Sequence, residues 1–437
     1  MKILIVSEYI APLQAIASIR WTKIAKYLKI SHSNIHITVL TNEKIFDGNN
    51  QRKDLMLEKD MCFFDEYWQL SKSNMLKKYE AIKKKNSSSV SAIQMEIQQC
   101  SSKGSLVQIL KKEGLLGVRD IKEKILFSQA KQFLKGRQFD FDVVISTYGP
   151  AWPHLVAERL KKKYPSIFWI ADFRDPYAKE TDGPFSFWRH NLFVKRHCIA
   201  ADVITRVTDD LYLNEPENAV VKVLPNGYDP EEALAPLPPR DFTIVFTGAL
   251  YGERRDIGVV CKAVKELVLE QKIDGVKVLY AGPDGELGRK IACRYDAQEY
   301  LQDLGALKRT DALKLQQNAA ILLQLNWNTK AERCQWSGKM YEYMMMRKPI
   351  IFVVTGDEPY SFPSYNMSKL GGICYEQCRH KETYPLLKQY ILDKYEEWKR
   401  TGNVSVQRDE EYVQQYSYAN IAESVWKLIC SQEKGRV

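Results

Sequence analysis

Residues 321–354 read ILLQLNWNTKAERCQWSGKMYEYMMMRKPIIFVV and contain the pattern that decides the fold. Two short runs rich in Ile, Leu and Val, at 321–325 and 350–354, flank a helix-length segment at 339–346. Both runs are almost continuously hydrophobic, with Gln324 the one polar residue, as expected for strands of a parallel sheet whose two faces are covered. Strand, helix and strand in this order predict a βαβ unit of an α/β domain.

The same alternation extends along almost the whole chain. A turn-rich joint at 225–240, with PNG, DP and PLPP, separates it into two series. We therefore expect two doubly wound, Rossmann-like α/β domains. The other predicted strands are 2–6, 36–41, 141–147, 167–172, 203–208 and 220–224 before the joint, and 243–246 and 276–281 after it.

The expected domain limits follow from that joint. An amino-terminal domain spans 1–225 and is interrupted at about 45–120 by a helical insertion rich in Lys and Ser, predicted to be partly mobile around NSSS at 86–89. A carboxy-terminal domain spans 226–411. An amphipathic helix within 412–437 is expected to pack back on the amino-terminal domain.

Length and composition indicate an ordinary globular protein. The chain has 437 residues, 45% of them hydrophobic and 27% charged, which is too long for one typical domain. Its apolar runs fall short of the roughly 18 residues of a membrane-spanning helix, and the first residues lack a signal-peptide pattern. Nine Cys without a disulfide framework fit a reducing cytoplasm. Cys374, Cys378 and His380 lack a fourth ligand, so we expect no zinc site there.

The charge balance favours anionic partners. Lys and Arg number 64 against 54 Asp and Glu, a formal net charge of +10. Basic residues concentrate at 77–85 and 161–163, which are either solvated helix faces or a contact with an anionic membrane surface. No nucleic-acid-binding module occurs, so we expect no nucleic-acid partner.

Three residues after the predicted strand 243–246 suit phosphate binding. Ligands of open parallel sheets bind beyond the carboxyl ends of the strands. Gly248 permits close backbone approach there, and Arg254 and Arg255 precede a helix, where a guanidinium can bind phosphate through two hydrogen bonds. The alternative is an ordinary pair of surface arginines.

The segment WSGKMYEY at 336–343 is the strongest local signal. The amides of Ser337 and Gly338 at a helix start can cradle a diphosphate, and Lys339 adds a positive charge. Glu342, one turn further on, can accept hydrogen bonds from ribose hydroxyls. The alternative is a capping box, although five residues rather than three separate Ser337 from Glu342.

Other motifs exclude some chemistries and add candidates. The chain has neither GxxxxGK[ST] nor a GxGxxG after the first strand, which disfavours P-loop and nicotinamide enzymes. Asp172 and Asp175 close a strand in ADFRDPY, where they either bind sugar hydroxyls and stabilise positive charge or form a structural ion pair with Arg174. His154, near a helix start, is either a base or a packing residue.

These segments together resemble the family-4 glycosyltransferases of GT-B fold, in particular a subgroup with a DFRDPW-like segment. The resemblance covers nearly the whole chain except the insertion, and its pieces follow the order of that family. They are MKILIVSEYIAP at 1–12, FDVVISTYGPAWPH at 141–154, WIADFRDPY at 169–177, VLPNGYD at 223–229, FTGALYGERRD at 246–256, VLYAGP at 278–283 and SGKMYEYMMMRKPII at 337–351.

The resemblance implies two Rossmann-like domains facing across a cleft, with 1–225 on the acceptor side and 226–411 binding the donor. It also implies a retaining sugar transfer. It implies a nucleoside diphosphate sugar as donor, most simply a uridine diphosphate sugar. The implied acceptor is a lipid-linked glycan of O-antigen, capsule or exopolysaccharide synthesis. We expect a cytoplasmic protein, peripheral on the inner face of the membrane, with no metal or cofactor.

The resemblance also implies roles for individual residues. Arg254, Arg255 and Lys339 would neutralise the diphosphate, and Glu342 would hold the ribose. The remaining donor-side candidates are Gly248, Gly282, Ser337 and Gly338; the catalytic candidates are Asp172, Arg174 and Asp175; and the acceptor-side candidates are Arg20 and His154.

Two departures from the family pattern leave alternatives open. Cys334 stands where many relatives carry a Glu, with Glu332 nearby, and the His that many relatives have around 147–149 or 173–174 is missing. One alternative is a nucleotide-sugar epimerase of the same fold, which converts the donor without an acceptor. The other is a non-catalytic scaffold of a polysaccharide assembly complex.

Overall fold

A computed structural model describes residues 1–43, 53–85, 106–177, 183–211, 213, 215–233, 235–330 and 332–434. These residues form two compact units. The first comprises Met1–Pro225 together with the end of the chain from Ile421 onward, and the second comprises Asn226–Asn420.

The first unit contains a seven-stranded sheet in the order β3-β2-β1-β4-β5-β6-β7. Every pairing between neighbouring strands is parallel. The strands are β1 Lys2–Val6, β2 His36–Asn42, β3 Glu66–Leu70, β4 Val143–Tyr148, β5 Phe168–Phe173, β6 Val203–Arg206 and β7 Val221–Val223.

Helices connect these strands and cover both faces of the sheet, because each parallel pairing requires a crossover. Among the described residues of the first 225, the α-helices are α1 Ile16–Ser31, α2 Leu55–Lys59, α3 Asn74–Lys85, α4 Leu106–Leu134, α5 Trp152–Lys163 and α6 Pro184–Ala200.

The second unit repeats this plan with six parallel strands in the order β10-β9-β8-β11-β12-β13. The strands are β8 Thr243–Thr247, β9 Lys277–Ala281, β10 Leu301–Asp303, β11 Ile321–Trp327, β12 Ile350–Thr355 and β13 Ile373–Glu376. The remaining helices are α7 Gly258–Leu269, α8 Gly285–Cys293, α9 Arg309–Asn318, α10 Gly338–Met346, α11 Phe362–Asn366, α12 His380–Thr401, α13 Glu410–Gln414 and α14 Tyr418–Lys434.

The last helix, α14, contributes its residues from Ile421 onward to the first unit. Its Trp426 ring stacks on His32 of the first unit, with the ring centroids 3.9 Å apart. None of the helices within the described ranges combines the length and the apolarity needed to cross a membrane.

The predicted βαβ alternation is confirmed, but three strands at sheet edges were not predicted. These are β3, β10 and β13. The helical insertion predicted at about 45–120 needs correction, because β3 lies within it and pairs with β2 along Thr38–Asn42. The NSSS stretch at 86–89 lies outside the described residues.

A buried ion pair ties several elements of the first unit together. Arg20 on α1 is 1% exposed and Asp172 on β5 is fully buried, and their side chains meet at 2.8 Å. Asp172 also accepts hydrogen bonds from Trp21 Nε1 at 2.8 Å and from Thr205 Oγ1 at 2.7 Å. Arg20 donates in turn to the carbonyls of Leu224 and Pro225 at the end of the unit.

This geometry corrects the sequence interpretation of both residues. The partner of Asp172 is Arg20, not Arg174, and the carboxylate is enclosed in the interior. Burial alone would raise the pKa of Asp172, but the Arg20 charge and the hydrogen bonds outweigh burial and hold the pKa below its usual value. In this conformation neither residue can contact a sugar.

Replacing Asp172 by Asn should destabilise the protein strongly. Asp172→Asn leaves the buried Arg20 guanidinium without a carboxylate, and breaking a buried pair in this way costs about 3–5 kcal/mol. We expect a loss of that size in the free energy of unfolding measured by urea denaturation at neutral pH.

Asp175→Asn provides the matched control, because Asp175 is exposed. It should change stability by less than about 0.5 kcal/mol. The difference in the free energy of unfolding between wild type and Asp172→Asn should become smaller in acid. The reason is that folded wild type loses the ionised form of Asp172 as the pH falls through the lowered pKa of this carboxyl. A loss below about 1 kcal/mol at neutral pH would contradict the structural role of the pair.

Candidate functional site

The backbone segments that follow β8 and β9 lie close together at Gly248 and Gly282, and we call them the backbone cradle. The amide of Gly248, directly after β8, donates to the Ala281 carbonyl at 2.9 Å, and Gly248 has a φ of +140°, which side-chain-bearing residues rarely adopt. A Cβ on Gly282 would lie only 2.2 Å from the Gly248 carbonyl oxygen. Gly282 is therefore required by the close approach of the two backbone segments, and Gly248 by its positive φ.

Arg254 already has partners in the structure. Its guanidinium lies 2.5 Å from a carboxylate oxygen of Glu332 and 4.3 Å from the ring centroid of Trp327. About half of each charged side chain is exposed, so this is a surface pair of small energetic value. The interpretation as a surface arginine fits Arg254 better than a dedicated phosphate ligand.

Arg255 differs from its neighbour in burial and in charge compensation. It is only 8% exposed, and its guanidinium donates to the Ala249 carbonyl at 2.7 Å and lies 4.6 Å from the ring centroid of Tyr251. Within the described ranges no carboxylate comes within 4 Å of it, and its buried Nε has no hydrogen-bond partner.

The burial of the Arg255 guanidinium affects its pKa. Burial lowers the pKa of Arg255 from its ordinary value, because desolvation opposes the charged form. Buried charges in proteins are normally paired, since an unpaired one is costly. These properties make Arg255 a candidate ligand for an anion at the carboxyl end of β8.

Ser337 does not cap the helix that it precedes. It occupies the N-cap position of α10, yet its side chain makes no capping hydrogen bond. Its buried Oγ has no partner among the described residues. The capping-box alternative is therefore wrong, and the first amides of α10 remain available for a ligand.

Lys339 and Glu342 contact each other one turn apart on α10. Lys339 Nζ lies 2.7 Å from Glu342 Oε2, and both side chains are partly exposed. The sequence analysis gave the two residues separate roles and did not predict this pair. Lys339 must break its contact with Glu342 in order to bind a phosphate.

The structure adds a residue that sequence analysis missed. Gln316 on α9 is fully buried; its amide nitrogen donates to Thr247 Oγ1 at 2.8 Å and lies 3.5 Å from Glu342 Oε2. It thus links the end of β8 to the carboxylate predicted to hold a ribose. A lone polar residue on the buried face of a predicted helix was the available signal.

Trp327 and Tyr251 were also missed. Trp327 ends β11 and Tyr251 follows β8, and their rings lie 5.8 Å apart beside the two arginines. The rule that pointed to Gly248, that informative residues follow strand ends, would have found both. Together they form an aromatic edge next to Arg255.

Cys334 occupies the position at which many members of the family that the sequence resembles carry a Glu. It is 1% exposed and packs in the core of the second unit, and burial raises the pKa of its thiol to about 12. A carboxylate in this position would be buried. Glu332, two residues earlier, instead contacts Arg254 and accepts a hydrogen bond from Trp327 Nε1 at 2.6 Å.

Three further candidate residues, His154, Arg174 and Asp175, lie in the first unit. His154 is fully buried, contacts Ser146 Oγ at 2.7 Å, and burial lowers its pKa well below the usual value, which fits the packing interpretation. Arg174 donates to the carbonyls of Tyr148 and Gly149 at the carboxyl edge of the sheet. Asp175 is exposed beside it.

Comparison with solved structures identifies the fold. The chain is similar to sucrose-phosphate synthase from Thermosynechococcus elongatus, with a TM-score of 0.60 and 12% identity over 100% of both chains. It is similar to the lipopolysaccharide outer core galactosyltransferase WaaB, with a TM-score of 0.53 and 11% identity over 99% of this chain and 100% of the other.

A UDP-GlcNAc 2-epimerase from Neisseria meningitidis, bound to UDP-GlcNAc, is also similar, with a TM-score of 0.50 and 12% identity over 99% of this chain and 100% of the other. No protein-family model and no curated protein matches the sequence. The chain has the GT-B fold of two Rossmann-like domains, and at these identities the likeness shows the fold alone.

Adding a methyl group at Gly282 should damage the backbone cradle. In Gly282→Ala the new Cβ would meet the Gly248 carbonyl oxygen, so the two strand ends must separate. We expect a destabilisation of about 1–3 kcal/mol in chemical denaturation, typical of overpacking.

Gly288→Ala on α8 is the matched control, because its Cβ would meet its nearest neighbour at an ordinary 3.4 Å. In a helix this change should be neutral or stabilising. Equal effects of the two substitutions would show that the approach of Gly248 and Gly282 is not constrained.

Proposed function

We propose that this protein is a retaining glycosyltransferase that uses a nucleoside diphosphate sugar, most simply a uridine diphosphate sugar, as donor. The observation that carries the proposal is Arg255, a buried guanidinium after β8 with no acidic partner among the described residues. A diphosphate supplies the missing negative charge through the bidentate geometry that guanidinium groups favour.

The chemistry of sugar transfer explains why such a charge is useful. When the bond between the sugar and the diphosphate breaks, the sugar gains oxocarbenium character and negative charge grows on the leaving group. A fixed cation at that place stabilises the transition state more than the bound donor. Arg255 is held in this position by the Ala249 carbonyl and the Tyr251 ring.

Residues of α10 complete the proposed donor site. Lys339 would leave Glu342 and bind the diphosphate, while Ser337 and the free amides at the helix start bind its oxygens. Glu342, released from Lys339 and positioned by Gln316, would accept hydrogen bonds from the ribose hydroxyls. In this proposal the cations neutralise the leaving group, and no metal is required.

The proposed acceptor is a lipid-linked glycan of bacterial surface polysaccharide synthesis, at the cytoplasmic face of the membrane. The support is the set of family-like segments in family order, together with a similar structure that is named for lipopolysaccharide synthesis. Arg174 and Asp175, at the carboxyl edge of the first sheet, are the proposed residues on the acceptor side.

A nucleotide-sugar epimerase is a second candidate, because a UDP-GlcNAc 2-epimerase is among the similar structures. The test is incubation with UDP-sugars labelled in the sugar, with and without an extract of lipid-linked glycans. A transferase moves label into the lipid fraction only when acceptor is present, whereas an epimerase yields a new nucleotide sugar without it. The scaffold alternative predicts neither product, and that result would overturn our proposal.

Two neighbouring arginines provide a matched comparison. Arg255→Met should weaken UDP binding at least roughly 100-fold, because it removes the buried charge that the diphosphate compensates. Arg254→Met should weaken it less than about fivefold, because Arg254 is exposed and paired with Glu332. Isothermal titration calorimetry measures both values.

The free energy of unfolding, measured without ligand, distinguishes a structural role of Arg255 from a role in binding. Because Arg255 has no acidic partner in the described part of the chain, Arg255→Met should lower the free energy of unfolding by less than about 1 kcal/mol. Equal losses of UDP affinity in both variants would contradict the assignment of Arg255 as the principal phosphate ligand.

Lys339 and Glu342 should be distinguishable with UDP and UMP. Lys339→Ala should weaken UDP binding much more than UMP binding, since a monophosphate lacks the second phosphate. Glu342→Ala should weaken both nucleotides alike, because they share the ribose, with little change in melting temperature. Calorimetric titrations of each variant with each nucleotide test this pattern, and equal losses for Lys339→Ala would mean that the lysine is structural.

A further inference from the structure

Helix α6 presents a stripe of exposed apolar side chains. Phe185 is 62% exposed, Trp188 58%, Leu192 48% and Ile199 64%. At 3.6 residues per turn these four positions fall within an arc of about 60° and extend about 21 Å along the helix. We define Phe185, Trp188, Leu192 and Ile199 as the α6 stripe.

The opposite side of α6 packs against the first unit. His190, Val194, His197 and Cys198 are all buried. His197 Nδ1 contacts the Phe193 carbonyl at 2.6 Å, and Val194 and Cys198 belong to the core of this unit. The core therefore takes one side of the helix, whereas each side chain of the α6 stripe is about half exposed or more. Four large apolar side chains in one row are unusual on a solvated surface.

Cations flank the α6 stripe. Lys195 and Arg196 are exposed on α6, and Arg159, Lys162 and Lys163 are exposed on the neighbouring helix α5. Arg196 and Lys162 share one carboxylate, Glu158, at 2.8 and 2.7 Å. Arg189 pairs with Asp120. In the described part of the chain Arg159, Lys163 and Lys195 form no ion pair, so this surface carries excess positive charge.

We propose that the α6 stripe and its flanking cations form the surface by which this protein lies on an anionic lipid bilayer. An interfacial helix has this composition: aromatic and aliphatic side chains on one face, and Lys and Arg beside them. Trp suits the boundary between headgroups and acyl chains. The charge complementarity favours anionic lipid over a neutral apolar partner.

This inference deepens the proposed function, because an acceptor linked to lipid requires an enzyme at the membrane surface. It also assigns membrane contact to only one of the two basic segments. Lys162 and Lys163 flank the α6 stripe, whereas Lys77 and Lys78 lie on α3, which shows no comparable exposed apolar row among its described side chains. Only the first pair should contribute to membrane binding.

The test is flotation of the full-length protein with vesicles of phosphatidylcholine, with and without phosphatidylglycerol. We expect binding only with the anionic lipid. Leu192→Glu should weaken it at least roughly tenfold, because it places a carboxylate in the stripe. Leu386→Glu on α12, at a site 60% exposed, is the matched control and should leave vesicle binding unchanged.

The cations are tested by a second pair of variants. Lys162→Ala/Lys163→Ala should weaken vesicle binding at least roughly tenfold at low salt, since each cation near an anionic surface contributes about fivefold. Lys77→Ala/Lys78→Ala should not. Unchanged melting temperatures of all variants establish that the fold is intact.

Three results would overturn the inference. They are no binding of wild type to anionic vesicles, equal losses in Leu192→Glu and Leu386→Glu, or a dimer in sedimentation velocity that Leu192→Glu dissociates. UDP binding, measured in parallel without lipid, separates this inference from the proposed function. Wild type that binds UDP but no vesicles contradicts only the membrane surface, whereas vesicle binding without UDP binding contradicts only the donor site.

Discussion

Parallel strand pairing is the constraint on which the rest of the structure depends. In both sheets every pairing is parallel, so all strands of a sheet end at the same edge. In the second unit this brings the loops after β8, β9 and β11 together, and with them Gly248, Gly282 and Trp327. Gly282 is required there by the approach of one backbone segment to another, and Gly248 by its positive φ.

Two buried arginines show how folding and function use the same side chain differently. Arg20 meets Asp172 in the interior, and its charge is compensated within the fold. Arg255 is nearly as buried but contacts a carbonyl and an aromatic ring, with no carboxylate within 4 Å in the described ranges. The first arrangement stabilises the fold. In our proposal the second keeps a positive charge for a partner that is not part of the chain. This contrast, more than the number of basic residues, separates a structural arginine from a binding one.

The continuous hydrophobic runs of the central strands allowed the fold to be predicted from sequence, because burial on both faces leaves a strong pattern. Edge strands β3, β10 and β13 are short and partly exposed, so their pattern is weak. The strand-end rule pointed to Gly248 and Arg255 as candidates, and for Asp172 it left open a contact with sugar or an ion pair with Arg174. Side-chain direction along β5 turns that carboxylate inward, and only the structure shows that Arg20 lies opposite. Likewise, no spacing rule reveals that Ser337 leaves its helix uncapped. The pairing of Lys339 with Glu342 could have been predicted, because residues three apart on a helix are neighbours.

The central claim is that the carboxyl edge of the second sheet binds a nucleoside diphosphate. The most direct measurement is the thermal shift of the wild-type protein with UDP, GDP, dTDP, CDP and ADP, each beside its free nucleoside, because a ligand of the native state raises its stability. Our account predicts a saturable rise in melting temperature for one diphosphate, UDP by our proposal, and little or none for its nucleoside. No shift with any diphosphate, or equal shifts with diphosphate and nucleoside, would contradict it.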